Sequence, residues 1–408
     1  MPAGDAEPEP SFAEIVRQWG RIGCIGFGGP PAHIALFREL CVERRRWLTD
    51  EQFERAVAAT NMLPGPASTQ LAIYAAWRLR GPSGALLGGL CFILPGLIMM
   101  LALSALFLAG SPPSWLRGAG LGAGAAVAAV AVRAGLGLAV PIWRRATGGR
   151  VAVLAYALAG GLVAALAGPW LVLVLLACGA IELGRRGLAG ELAGPRAWSL
   201  PAWWWIARGG GARLSRTLSS WPLLTTAAEP GGTGALVWTA FKVGALAFGG
   251  GFVIVPLMQS DAVNTYHWMT HGQFLNAVAL GQVTPGPVVQ TVAAVGYSAA
   301  GLPGGLLAAV VAFAPSFSFV LLGAARFERL LVNERVLAFL AGAAPAAAGA
   351  IVGAAIPLAA ALEESWQYAL LAVAAIALLV LRRNIVPTLL LAGFAGIVAA
   401  VLGAQIPR

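Results

Sequence analysis

Charge is scarce in this chain. Only 11% of its 408 residues are Asp, Glu, Lys or Arg, while 59% are hydrophobic and mean hydropathy is +0.78. Soluble globular domains carry about 25% charged residues, so a water-soluble fold is excluded and the apolar stretches call for a bilayer. Cysteine is scarce too. Cys24, Cys41, Cys91 and Cys178 form no CxxC pair and have no metal-ligand spacing, which leaves them as small packing residues. Of three histidines, His33 stands alone, and His267 and His271 are four apart with no third ligand nearby, so a zinc site is not supported. The chain lacks a nucleophile elbow, a Walker loop and paired carboxylates, and no cofactor is expected. Lysine is nearly absent: of 27 basic residues only Lys242 is a lysine.

The formal net charge of +10 would also suit a nucleic-acid binder. Here most arginines fall between apolar segments, the positive-inside pattern rather than a continuous basic face, so no nucleic-acid partner is expected. Residues 1–10 (MPAGDAEPEP) are polar, acidic and proline-rich, without the basic start and apolar core of a signal peptide, and predict a disordered cytoplasmic tail. Residues 85–109 and 118–141 are long enough to cross a hydrocarbon core of roughly 30 Å as helices. Shorter apolar segments cover 151–168 and 169–184, and four more cover 304–323, 336–361, 366–381 and 385–403. Between the two sets, residues 185–234 turn polar and arginine-rich. This stretch predicts a cytoplasmic or interfacial linker anchored by Trp203, Trp204 and Trp205.

The chain repeats itself. At one offset of 221 residues, Phe27-Gly28-Gly29 falls on Phe248-Gly249-Gly250, Trp47 on Trp268, and Thr49 on Thr270. The same offset carries Gln52-Phe53 onto Gln273-Phe274 and Pro64-Gly65-Pro66 onto Pro285-Gly286-Pro287. Apolar composition can align alanines by chance, but not Trp, Gln, Phe and Pro-Gly-Pro in one register. The repeats are expected over 11–184 and 235–408. Matched loops differ in charge. Arg44-Arg45-Arg46 faces a counterpart around 264–271 with no Lys or Arg, and Arg144, Arg145 and Arg150 match a loop with Glu363 and Glu364. The positive-inside rule then predicts opposite orientations for the halves, although the even span count of the first half requires an odd crossing in the linker.

The best-matched segments are not the most hydrophobic ones. Each half has two glycine- and proline-broken segments, at 25–31 and 63–68, then at 247–252 and 284–288. From Thr49 to the first Pro-Gly-Pro is about 14 residues, and about 14 more reach Arg80. At 1.5 Å per residue each arm spans about 21 Å, which puts the break near the membrane midplane. Backbone groups freed at that depth need a partner, and half-helix N-termini suit an anion. Candidate backbone donors are Gly28, Gly29, Gly65, Gly249, Gly250, Gly251 and Gly286. Single breaks can also be packing kinks; four in two matched pairs argue for a site.

Polar side chains surround the breaks. Asn61 aligns with Gln282, Ser68, Thr69 and Gln70 follow the first Pro-Gly-Pro, and Thr284, Gln290 and Thr291 flank the second. Such neutral donors hold an oxyanion without trapping it, although each also suits a helix cap or an interhelical contact. Lys242 aligns with Arg21, each six residues before the phenylalanine of its break and within about 10 Å of it along a helix. Ionisable residues at that depth usually face a cavity, the alternative being that these long side chains snorkel to the headgroups.

Residues 26–35 (GFGGPPAHIA), 63–70 (LPGPASTQ), 248–257 (FGGGFVIVPL) and 281–290 (GQVTPGPVVQ) resemble the signature segments of the chromate ion transporter family. The two-half plan resembles its long-chain members. The resemblance implies chromate export across a bacterial inner membrane and chromate resistance, with sulfate as the analogue because both are tetrahedral dianions. The expected fold is an all-α polytopic membrane protein of two inverted-topology repeats. Each repeat would hold two broken or re-entrant helical segments and about four further transmembrane helices. The expected partners are chromate and the lipid bilayer, and a homodimer is compatible with the plan. A sulfate or general oxyanion carrier is the neighbouring reading. An enzyme acting on an anionic lipid would need a catalytic pair at the interface, and no such pair is visible.

Overall fold

A computed structural model of the chain describes residues 9–63, 65–108, 112–146, 149–166, 170–188, 231–247, 251–324 and 333–405. Most of the expected tail and linker lies outside these residues, as do Gly249 and Gly250. The first half runs α1 (Phe12–Ile25), α2 (Pro30–Arg38) with a π-helical extension Glu39–Arg44, α3 (Asp50–Met62), α4 (Ala67–Phe107), α5 (Ser114–Ala125), α6 (Val127–Arg145), α7 (Arg150–Leu166) and α8 (Leu171–Leu188). The second runs α9 (Thr233–Leu246), α10 (Val255–Gln259) with a π-helical extension Ser260–Thr265, α11 (His271–Val283), α12 (Thr291–Gly323) and α13 (Glu334–Gly353). It ends with α14 (Ala355–Ala360), α15 (Ser365–Ala375) with a π turn Ile376–Val380, and α16 (Ile385–Val401).

The second half repeats the first down to backbone detail. Both early π turns are followed two residues later by a non-glycine residue of positive φ, Arg46 at 47° and His267 at 53°. Thr49 and Thr270 cap α3 and α11 identically, each hydroxyl accepting from the backbone of a glutamine whose side chain returns the bond. The long helices α4 and α12 kink at Arg80-Gly81 and Ala300-Gly301, with φ of 61° and 63° at the glycines. Past Pro-Gly-Pro the register slips by one, so that Gln70 matches Gln290, Gly81 matches Gly301 and Pro95 matches Pro315. The second half has one residue fewer there. It winds through a tighter 3-10 turn, Val288–Gln290, where the first half starts α-helix directly.

In the first half both broken segments are re-entrant hairpins. Arg45 at the end of the first hairpin reaches back to Glu14 at 3.8 Å, and Trp47 stacks on Trp19. Trp19 Nε1 donates to Ala72 O at 2.8 Å, and Arg80 meets Glu9 at 3.6 Å. Each hairpin therefore enters and leaves on one side. Beyond Gly81, the remaining arm of α4 is about 39 Å long and crosses fully.

The chain is an all-helical, multi-pass membrane protein. Among the described residues four stretches are long and apolar enough to cross: Ala67–Phe107, Ser114–Arg145, Val288–Gly323 and Glu334–Ala360. On α4, Leu86, Leu90, Leu94 and Ile98 are exposed at helical spacing, while Gly89, Phe92, Ile93 and Met100 on the other face are buried. Such a stripe would be an aggregation liability in water and is at home in lipid.

The halves interlock through small residues. α7 and α8 pack on α13, and α16 packs on α5. A Cβ on Gly160 would lie 1.9 Å from Ala346 O, one on Gly349 would lie 1.8 Å from Ala157 O, and one on Gly396 would lie 2.0 Å from Gly118 O. Only backbones without side chains come this close. The crossing arms of α4 and α12 run antiparallel, with Gly89 against Phe317 and Gly305 against Leu101.

Candidate functional site

The breaks meet where the halves cross. Gly28 and Gly29, with φ of 99° and 76°, turn the chain from α1 into α2, whose first turn carries Pro30 where a missing N–H is harmless. Gly26 O accepts from Gly286 N at 2.9 Å and from His33 Nε2 at 2.9 Å. The first break of one half is thus hydrogen-bonded to the second break of the other. Gly65 and Pro285 each pack on the middle of the opposite crossing arm. A Cβ on Gly65 would lie 3.1 Å from Ser316 Oγ, and one on Gly96 would lie 2.0 Å from Pro285 O. Gly96 is about 22 Å from the kink at Gly81, half-way through the bilayer. Gly65 and Gly286 have φ of 123° and 93°, a region where a side chain is strained.

Around this crossing sit polar atoms with no protein partner. They are Thr69 Oγ1, Ser316 Oγ, Gln282 Nε2 and both side-chain heteroatoms of Gln290. Thr69, Gln290 and Ser316 have no solvent exposure at all. Gln290 lies against both break and arm, since Cβ atoms on Gly286 and Gly96 would each approach its amide to 2.5 Å. The Gln70 amide stands equivalently, 2.5 Å from a Cβ on Gly65. An unpartnered buried polar group costs about 1–3 kcal/mol. The donors among them, the Thr69 and Ser316 hydroxyls and the Gln282 and Gln290 amide nitrogens, are understandable together in an apolar core if a ligand rich in acceptors receives them.

The comparisons with known proteins place the chain. The family model described as "Chromate transporter" matches residues 13–183 and 234–399. The chain belongs to the chromate transporter family. It is 32% identical over 410 residues to a "Chromate transport protein" of Cupriavidus metallidurans, covering 97% of this chain and 96% of that one. A "Chromate transport protein" of Pseudomonas aeruginosa is 32% identical over 373 residues, covering 87% and 83%. A "Probable chromate transport protein" of Synechococcus elongatus is 29% identical over 359 residues, covering 86% and 85%. No solved structure matches the chain.

Each region matched by the chromate transporter family model contains one pair of broken segments and one crossing arm. Of the residues expected to bind, Gly65, Ser68, Thr69, Gln70, Gln282, Thr284, Gly286 and Gln290 are buried around the two Pro-Gly-Pro breaks. Gly251 is buried too, with φ of 91°, beside Val288 and Val289. Thr291 is committed as a cap, its hydroxyl donating to Val288 O at 2.8 Å. Asn61 is exposed although its counterpart Gln282 is buried. Arg21 is exposed as well, beside a small cavity with Glu39 and Arg44. Lys242 is not a free cation: its Nζ pairs with Asp261 Oδ2 at 2.5 Å, and Thr239 Oγ1 donates to the same oxygen at 2.7 Å. Ser316 and Asp261 escape a reading of the motifs. A hydroxyl directly after Pro315 in an apolar run, matched across the repeat to Gly96 after Pro95, is the signal that points to Ser316.

Proposed function

We propose that the chain carries chromate outward across a bacterial inner membrane by alternating access of one oxyanion site between its two halves. The observation that carries this reading is the group of buried, unpartnered polar side chains where the breaks of both halves meet. A tetrahedral dianion presents acceptors in all directions, which suits the Gln290 and Gln282 amides, the Thr69 and Ser316 hydroxyls and the nearby backbone N–H groups. Neutral donors leave the anion free to depart, and a site shared by two halves opens to one side or the other as they rock. The names of the relatives, covering nearly all of both chains, support chromate as the cargo. The antiparallel register of the α4 and α12 arms supports the inverted repeat, because equivalent helices then run in opposite directions.

Vesicles turned inside out test the reading. Those made from cells producing the protein should accumulate radioactive chromate, with sulfate and molybdate added as competitors to rank the oxyanions. Accumulation no higher than in vesicles lacking the protein would refute it.

A further inference from the structure

We infer that the face shared by α2 and α3 is a water-filled cleft by which the anion reaches the crossing, and that Asn61 at its foot is the first group of the site to meet it. This inference rests on the anion-transport reading above. The repeat supplies the comparison. In the first half, Pro31 and Ala35 on α2 and Glu54, Arg55, Ala58 and Asn61 on α3 are exposed at helical spacing. At the offset of 221 stand Phe252, Pro256, Leu275, Asn276, Ala279 and Gln282, and all six are buried. Part of their cover comes from α5, which lies close on α11. Cβ atoms on Gly120 and Gly124 would come within 2.7 Å of the Asn276 amide and 3.1 Å of Leu275. The halves therefore repeat in backbone and differ in what covers it.

The exposed face is unsuited to lipid. Arg38 of α2 donates to Asp50 and, at 2.6 Å, to Glu54 of α3, which joins the two helices at the outer end. Arg55 pairs with Glu51 at 2.6 Å on the same helix. These side chains are largely exposed, and charges in that condition require water rather than hydrocarbon. From Asp50 to Asn61, α3 rises about 17 Å, half-way through a core of about 30 Å. At that depth Asn61 and the non-helical Gly28 are still exposed. Irregular backbone there is tolerated only inside protein or against a water-filled cavity. Exposure thus runs without a break from ion pairs at the surface to the broken segments at the midplane. Asn61 lies three residues before Pro64-Gly65-Pro66, where its amide N–H can meet an oxyanion ahead of the buried groups of the crossing.

Single cysteines at Ala58 and at its counterpart Ala279, in a cysteine-free protein, test this, because an impermeant methanethiosulfonate reacts with thiols that water reaches. In lipid nanodiscs Ala58→Cys should react on the order of tenfold faster than Ala279→Cys. In inside-out vesicles, reacted Ala58→Cys protein should lose most of its chromate accumulation, while cysteine-free protein treated alike keeps it. Asn61→Ala should raise the KM for chromate on the order of tenfold and leave the maximal rate nearly unchanged. Equally slow reaction at both positions would overturn the inference, whether the face lies in lipid or beneath a second copy of the chain. Undiminished accumulation by fully reacted vesicles, or an unchanged KM in Asn61→Ala, would overturn it as well. Each of these results leaves the transport reading standing. Absence of chromate accumulation by the unmodified wild type would overturn that reading and this inference with it.

Discussion

Lys242 and Arg21 hold equivalent places in opposite electrostatic settings. Lys242→Met leaves the Asp261 carboxylate buried and unpaired, which should cost about 3 kcal/mol. Arg21→Met, at an exposed position, should change stability by less than about 0.5 kcal/mol. Thermal unfolding of the detergent-purified variants checks both, and K242M/D261N should regain most of the loss. A Lys242→Met protein as stable as the wild type would mean that the pair does not hold the fold. The alignment of Lys242 with Arg21 is legible in the sequence; the ion pair is not. Asp261 faces α9 from within a π turn, whose wider winding shifts the face each residue presents, and its first-half counterpart Leu40 carries no charge.

At the scale of helices, the fold depends on glycines that let backbones touch across the halves. Gly160→Val or Gly349→Val would drive a side chain into Ala346 O or Ala157 O, and each should cost about 1–3 kcal/mol or more. Gly137→Ala, with nothing within 4 Å of its added carbon, is the control and should behave as wild type. The yield of monodisperse protein and its melting temperature report the difference; unchanged valine variants would contradict the packing of α7 on α13. The four breaks are legible because Pro-Gly-Pro and Phe-Gly-Gly recur in register. Their direction is not. A half-helix of given length and hydropathy returns or continues according to contacts such as Trp19 with Ala72 and Arg45 with Glu14, which lie far apart in sequence. Nor does the run Pro287-Val288-Val289 announce that one residue is missing and the turn is 3-10.

For the whole molecule, the proposed inversion predicts Arg44–Arg46 on the cytoplasmic side and the matched turn around 264–271 on the opposite side. Single cysteines at those places in a cysteine-free protein should label from opposite sides with an impermeant thiol reagent. Labelling from the same side would exclude the inversion. The doubling of the chain is legible from a few residues, Trp47 with Trp268 and the paired Pro-Gly-Pro segments. The proposed oxyanion site is legible only in part, because Ser316 stands beside it through a crossing of the halves that no local pattern encodes. The central claim, that a chromate ion satisfies the buried polar group at this crossing, is tested most directly by the chromate-dependent melting temperature of Gln290→Met beside the wild type. Methionine keeps the length of the side chain and removes two buried heteroatoms that have no protein partner, so the variant should start at an equal or higher melting temperature. Chromate should raise the melting temperature of the wild type and leave that of Gln290→Met unmoved, since only binding to the folded state stabilises it. A lower starting temperature combined with an undiminished chromate shift would contradict the account.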